Sequence, residues 1–205
     1  MGQESGGVPA RLLLLRHGQS EWNAEGRWQG WADPPLSSLG EAQATAAGHH
    51  LAGLGLERVA TSDLDRARRT GELIAAELGL GGIEVDGGLR ERNVGEWSGL
   101  TTAEIEARWP GQIDAWRQGK LPSPPNGEAD MVPRVLAALE RIAAKGGTWL
   151  VVTHGGVIHA VDRRLGAEPA PIYNVCGRWL EANGTTFTPG EIVVMPEVDG
   201  PTTVL

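Results

Sequence analysis

The stretch Leu12-Leu13-Leu14-Leu15-Arg16-His17-Gly18 is four apolar residues that stop abruptly at three polar or glycine positions. A short, fully apolar run of this kind is the signature of a strand buried on both faces, as in a parallel sheet. The pattern recurs late in the chain, where Thr148–Val152 gives way to Thr153-His154-Gly155-Gly156. A third run, Leu56–Thr61, ends at Ser62-Asp63-Leu64-Asp65-Arg66. In open α/β sheets, ligands bind at the carboxyl ends of the strands, so these three polar bursts mark one expected site.

The segments between these strands read as helices. Ser38 with Glu41 forms a capping box for a helix running to about Ala52, before Gly53 and Gly55. Ser62 or Asp63 is placed to cap the next helix, whose Leu64, Ala67, Ile74, Ala75 and Leu78 share a face and whose end is marked by Gly79. Ile83–Val85 is a short strand candidate, and Thr101 with Glu104 caps a helix that ends before Pro110. Gln118–Gly127, rich in proline and glycine, is a loop. Glu128 to about Lys145 is helical, beginning properly near Pro133, and Val157 to about Leu165 is a further helix. Strands near Thr185–Phe187 and Glu191–Val194 close the chain. Alternating strands and helices predict an α/β, three-layer sandwich with a mostly parallel central sheet. Residues 1–10 read as a flexible leader and 11–205 as a single domain without internal repeats.

Composition narrows the function classes. The 205 residues carry 18 basic and 26 acidic side chains, a formal charge of −8. That sign argues against nucleic acid or an anionic membrane surface as a general partner, while leaving room for a local arginine cluster that binds a small anion. No stretch approaches the roughly 20 apolar residues that span a bilayer, and the polar leader lacks the apolar core of a secretory signal. Cys176 is the only cysteine, which excludes an intrachain disulfide and a cysteine-built metal site. The five histidines show no zinc-chelating spacing. The expectation is a cytoplasmic enzyme using neither metal nor cofactor, with a homodimer as the default assembly. Asn183-Gly184-Thr185 spells a glycosylation sequon, read as chance in a chain without a secretion signal.

Two histidines at strand ends, joined by arginines and flanked by glycines, predict a cationic pocket suited to a phosphate dianion, since arginine pairs with phosphate oxygens in bidentate fashion. The residues that form it also carry a family resemblance. Leu15-Arg16-His17-Gly18-Gln19-Ser20-Glu21-Trp22-Asn23 resembles the signature of the histidine phosphatase superfamily, the phosphoglycerate mutase-like clan. Gln29-Gly30, Asp33 through Leu36, Ser62 through Ala67, Leu89-Arg90-Glu91 with Gly95 and Trp97, Gly127-Glu128 and Thr153 through Gly156 match the family's later motifs in order.

The resemblance implies that His17 is a nucleophile that becomes transiently phosphorylated. It implies that Arg16, Arg66 and His154 surround the transferred phosphoryl group and stabilise its equatorial oxygens. Glu91 matches the family's general acid and base, which protonates the leaving oxygen and later deprotonates water. Members that place an Asp directly after the second histidine are a different case; here Gly155 follows His154. Asn23 is expected to donate to a phosphate oxygen, with Gln29, Gly30 and Gly155 as further substrate-binding positions. Arg68 and Arg69 read as surface residues, and His49, His50 and His159 receive no role. Trp22, Trp28, Trp31, Trp97, Trp109 and Trp116 are either core packing or an apolar platform for the leaving group.

The leading function is phosphomonoester hydrolysis through phosphohistidine, on a small phosphorylated metabolite. The alternative is a phosphoglycerate mutase, which returns the phosphoryl group to a bound sugar acid. The mutases this chain resembles carry a longer insertion between the acid motif and the second histidine; here the interval is 154 − 91 = 63 positions. A catalytically silent phospho-ligand or protein-binding module is the third reading, disfavoured because both histidines, both arginines and the glutamate are present.

Overall fold

The computed structural model describes residues 9–196, so residues 1–8 of the expected leader lie outside the described residues. Its helices and strands are β1 (Ala10–Arg16), α1 (Glu21–Ala24), α2 (Ser38–Leu51), β2 (Arg58–Thr61), α3 (Asp65–Glu77), β3 (Glu84–Val85), α4 (Thr102–Arg108), α5 (Gln112–Arg117), α6 (Val132–Ala143), β4 (Gly147–Thr153), α7 (Gly155–Leu165), β5 (Gly177–Asn183) and β6 (Thr186–Val193). The strands form one six-stranded sheet in the order β3-β2-β4-β1-β5-β6. Strands β1 to β4 are mutually parallel, β5 runs antiparallel to β1, and β6 antiparallel to β5.

The alternation of side chains along the central strands divides the core in two. Leu12 and Leu14 of β1 join Trp149 and Val151 of β4 on one face, packed against Val135, Ala138, Leu139 and Ile142 of α6 and against α7. Leu13 and Leu15 join Leu150 and Val152 on the other, against Ala47 and Leu51 of α2 and Ala67 and Ile74 of α3. Both faces of β1 and β4 are therefore covered, which is why Leu12–Leu15 and Trp149–Val152 are apolar without a break. A third, smaller cluster of Val94, Trp97, Ile105 and Ile113 joins a 3-10 turn to α4 and α5.

The predicted fold class is what the sheet shows; several local readings need correction. The cap of α2 is Ser37, whose side chain accepts from the Gly40 amide, rather than Ser38. Helix α3 begins after Leu64 with no side-chain cap: Ser62 Oγ instead accepts from the Leu64 amide, and Asp63 pairs with Arg90. Thr101 and Glu104 do form the expected capping box on α4. The two C-terminal strands read from the sequence are the two ends of one strand, β6, and β5 escaped notice because Arg178 and Glu181 interrupt its apolar run. Asn183 ends β5 and pairs with Thr186, and Gly184-Thr185 makes the turn with Gly184 at φ 62°, so the apparent sequon is a hairpin signal.

Arg178 earns its buried place by linking three segments. Its Nε lies 2.8 Å from Asp162 Oδ1 on α7, while its Nη1 and Nη2 donate to the carbonyls of Gly190 and Glu168 at 2.7 and 3.0 Å. Burial pushes the Asp162 carboxyl above its ordinary value, and Arg178 opposes that shift. Removing one partner of a buried pair leaves an uncompensated charge. Arg178→Met should therefore lower the unfolding free energy at neutral pH by about 3–5 kcal/mol, read by urea denaturation. The deficit should shrink as pH falls, because the stranded Asp162 takes up a proton in the native state before the unfolded chain does.

Candidate active site

Register places the two histidines side by side. Arg16 pairs with Thr153 across β1 and β4, and the His17 amide extends the ladder by donating to the Thr153 carbonyl at 3.0 Å. The next residues on the two chains, His17 and His154, then stand with ring centroids 5.1 Å apart in an edge-on arrangement. His17 Nδ1 is 2.6 Å from the Gly18 carbonyl oxygen. A carbonyl can only accept, so Nδ1 carries the proton and Nε2 keeps its lone pair.

Two glycines make this turn possible. A Cβ on Gly18 would stand 2.5 Å from the Gly40 carbonyl oxygen, and one on Gly40 would stand 1.9 Å from that of Gln19. The first turn of α2 is thus pressed directly against the loop that follows His17. The segment after α7 braces the loop from the other side: Asn174 Nδ2 donates to the His17 carbonyl at 3.0 Å, and the Val175 amide to that of Arg16 at 3.0 Å.

Arg16 and Arg66 are each 1% exposed. Arg16 Nη1 donates to the Ile172 carbonyl at 2.9 Å; Arg66 donates to the carbonyls of Ala32 and Gly30 at 2.8 and 2.9 Å. Burial lowers both guanidinium pKa values to about 10, with Glu91 pulling each back, so both remain charged at neutral pH. Burial and these two cations hold the His17 imidazole well below the usual histidine range. For His154 the causes are burial, then Arg66 and His17. Both ring nitrogens of His154 and Nε of Arg66 are buried without a hydrogen-bond partner among the described residues. Buried donors want acceptors, and a phosphoryl oxygen can accept from the Arg66 Nε–H or from the single N–H of a neutral imidazole.

Glu91 reaches the same place from the segment after the Gly87–Leu89 turn. Its Oε1 accepts from the Arg92 amide at 2.7 Å and its Oε2 from the Gly156 amide, in the first turn of α7, at 3.0 Å. A Cβ on Gly156 would come within 2.3 Å of Oε1, so glycine leaves the space that the carboxylate fills.

These residues surround a cleft of about 350 Å³ whose wall includes Arg16, His17, Gln29, Gly30, Arg66, Glu91 and Gly155. Asn23 is buried and belongs to the capping box of α1, its Oδ1 accepting from the Ser20 amide at 3.2 Å, and it is not on that wall. Gln29 Oε1 accepts from Ser20 Oγ at 2.9 Å. Arg68 and Arg69 make half-exposed ion pairs with Asp65, Glu72 and Glu41.

The outer wall is formed by Arg92, Arg117, His159, Arg163, Trp28 and Trp116; the two tryptophans were among those expected as core or leaving-group platform, whereas the three arginines and His159 were given no role from the sequence. Gly155, His159 and Arg163 succeed one another at intervals of four on α7, so helical periodicity counted from Gly155 would have found two of them. Arg117 and Trp116 lie on a short helix that carries no cap signature. Trp28, Trp97 and Trp116 pack edge-to-face with centroids 5.5 to 5.9 Å apart. Trp97 is core, whereas Trp28 and Trp116 also face the cleft. Five guanidinium groups line the wall against one carboxylate, so the cleft is cationic in a protein of net charge −8. Among the described residues no three His, Cys, Asp or Glu side chains gather as metal ligands, and no helix is long and apolar enough to cross a membrane.

Residues 12–185 match the family described as histidine phosphatase superfamily (branch 1). A 2,3-bisphosphoglycerate-dependent phosphoglycerate mutase of Methylobacterium radiotolerans is 43% identical over 73% of this chain and 76% of its own length. A glucosyl-3-phosphoglycerate phosphatase of Mycolicibacterium vanbaalenii is 34% identical over 88% of this chain and 87% of its own. Among solved structures, a mycobacterial glucosyl-3-phosphoglycerate phosphatase in complex with VO3 superposes with a TM-score of 0.76 and 33% identity, covering 83% of this chain and 90% of that one.

The neutral, buried imidazoles have a measurable consequence. Below about pH 6.5 the unfolded chain protonates His17 and His154 while the native protein resists, so the unfolded state binds more protons and stability falls with pH. Each histidine should contribute a slope of about 1.4 kcal/mol per pH unit in that window. Urea denaturation at pH 7.5 and 5.5 should show His17→Asn losing less stability than wild type over that interval; equal losses would mean that His17 titrates normally in the fold.

Proposed function

Because the chain belongs to the histidine phosphatase superfamily, we propose that it hydrolyses a small phosphomonoester through a phosphohistidine on His17. The observation that carries this reading is the His17 ring itself. Its Nδ1 proton is committed to the Gly18 carbonyl and its charge is suppressed, which leaves Nε2 nucleophilic on the wall of a cationic cleft.

Nε2 attacks phosphorus as the bond to the leaving oxygen breaks; Glu91 enters this step as the carboxylic acid, gives that oxygen its proton and is left as the carboxylate. Arg16 and Arg66 balance the charge on the equatorial oxygens, and His154 lies within the same group. Water then attacks phosphohistidine, gives its proton to the Glu91 carboxylate and releases phosphate with a neutral His17. The guanidinium groups supply the charge stabilisation, so no metal is required in this scheme. Asn23, from the α1 cap, together with Gln29, Gly30 and Gly155, would complete the phosphate-binding side.

The outer wall speaks to the leaving group. Trp28 and Trp116 offer aromatic surface, and Arg92, Arg117 and Arg163 add cations beyond those needed for the phosphoryl group. An acidic, sugar-like alcohol fits both features. The relative named glucosyl-3-phosphoglycerate phosphatase, which matches 88% of this chain, supports phosphatase over mutase. The mutase reading has its own support in the 43% identity to the Methylobacterium protein. A cytoplasmic setting is part of the proposal, resting on the lone, buried Cys176.

Wild-type enzyme quenched during turnover should hold acid-labile, alkali-stable phosphate on His17, and His17→Ala should abolish both label and turnover. Label on serine or aspartate would end the phosphohistidine reading. With 3-phosphoglycerate or its glycosides, inorganic phosphate should accumulate; accumulation of the 2-phospho isomer without phosphate release would select the mutase. Turnover should also survive EDTA, and a loss restored by a divalent ion would overturn the metal-free scheme.

A further inference from the structure

Arg134, on α6, is forty-three positions from Glu91 in sequence, and all five of its guanidinium N–H groups are engaged. Nε and Nη2 donate to the two oxygens of Glu128, each at 2.7 Å. The second Nη2 proton goes to the Glu91 carbonyl at 2.8 Å, and Nη1 donates to the carbonyls of Gly88 and Arg90 at 3.0 and 2.7 Å. Glu128 is tied to the same segment in both directions: its Oε2 accepts from the Asn93 amide at 3.3 Å, and its own amide donates to the Asn93 carbonyl at 2.8 Å. Glu91 is therefore flanked on both sides by main chain fastened to one ion pair. Neither Arg134 nor Glu128 is on the cleft wall.

We propose that Arg134, held by Glu128, is a positioning residue that aims the Glu91 carboxylate at the leaving oxygen. This rests on the general-acid reading of Glu91 given above. The segment carrying Glu91 lies between two 3-10 turns and belongs to no helix or strand, so its direction is set by what grips its carbonyls. A general acid works only within hydrogen-bond reach of its target, and a displacement of about 1 Å costs on the order of 100-fold in rate. The planar fork of arginine can grip three carbonyls and a carboxylate at once; lysine has three donors at a single point and cannot. Lysine does keep the positive charge, which matters because Arg134 also contributes to the field that lowers the His154 pKa.

The test compares kcat/KM for glycerol 3-phosphate, whose alkoxide needs a proton to leave, with that for p-nitrophenyl phosphate, whose phenolate does not. This ratio reports the steps through leaving-group departure. Arg134→Lys should lower it about 10-fold or more for the alkyl ester and by less than about 3-fold for the aryl ester. Glu128→Gln should act in the same direction. Added to Glu91→Gln, Arg134→Lys should cost nothing further on the alkyl ester, because the group it positions is gone. Equal losses on both esters, or losses that multiply with Glu91→Gln, would make the clamp merely structural and overturn the proposal. If Glu91→Gln itself is unselective, the general-acid reading falls and this proposal falls with it. If Glu91→Gln is selective and Arg134→Lys is not, the clamp alone is refuted. Thermal melting of each variant identifies any that fails to fold, and should Arg134→Lys be that variant, Glu128→Gln decides by the same criteria.

Discussion

The parallel pairing of β1 with β4 is the constraint on which the site depends. Its register sets Arg16 opposite Thr153 and so brings His17 and His154 out of the sheet together. A slip of one residue would exchange the two faces of β1, sending Leu12 and Leu14 to the side now filled by Leu13 and Leu15. Both faces are packed by helices, so that slip has nowhere to go. The apolar core thus does more than stabilise the sheet: it fixes the separation of two imidazoles to within the tolerance that chemistry demands.

Once the strand ends are fixed, their electrostatics follow. Arg16 and Arg66 are buried beside the histidines, each held by backbone carbonyls. Burial alone disfavours imidazolium, and two adjacent guanidinium groups disfavour it further. The same cations that would bind a phosphoryl group therefore also keep His17 neutral. The compensating anion, Glu91, comes from a separate segment and docks on the amide of Gly156, where an N-terminal helix turn welcomes a carboxylate. Cation and anion sets are supplied by different elements, which allows each to be held by its own supports.

Much of this was legible in the sequence. The apolar runs ending at His17 and His154 announced buried parallel strands and a strand-end site, because burial on both faces removes the polar alternation that an exposed strand shows. Arg16, His17, Arg66 and Glu91, which the motifs single out, do line one cleft, and His154 lies beside the His17 ring without reaching the wall. What was not readable had long-range causes. Strand β5 is polar where Arg178 turns inward to meet Asp162, a partnership invisible without the fold. The cap of α3 was misassigned because Asp63 is recruited by Arg90 across 27 positions. His159 and Arg163 were passed over because a helix face matters only when one knows what it faces. The Asn23 oxygen, by contrast, closes a local cap that the sequence also encodes.

The division between the centre and the outer wall bears on how one fold serves more than one outcome. Relatives named as mutases and as phosphatases both match this chain over most of its length. A phosphohistidine can be discharged to water or to an alcohol by the same nucleophile and the same cations. What differs is which acceptor is held in line and how well water is kept out, and both are properties of the wall. Here that wall is built by the third hydrophobic cluster, where Trp28 and Trp116 pack edge-to-face on buried Trp97, and by one face of α7. The cluster stands apart from the two sheet-bound cores, so its side chains can change without disturbing the β1–β4 register. In the proposed reaction, selection of the acceptor is thereby separated, physically, from the strand pairing that assembles His17 and His154.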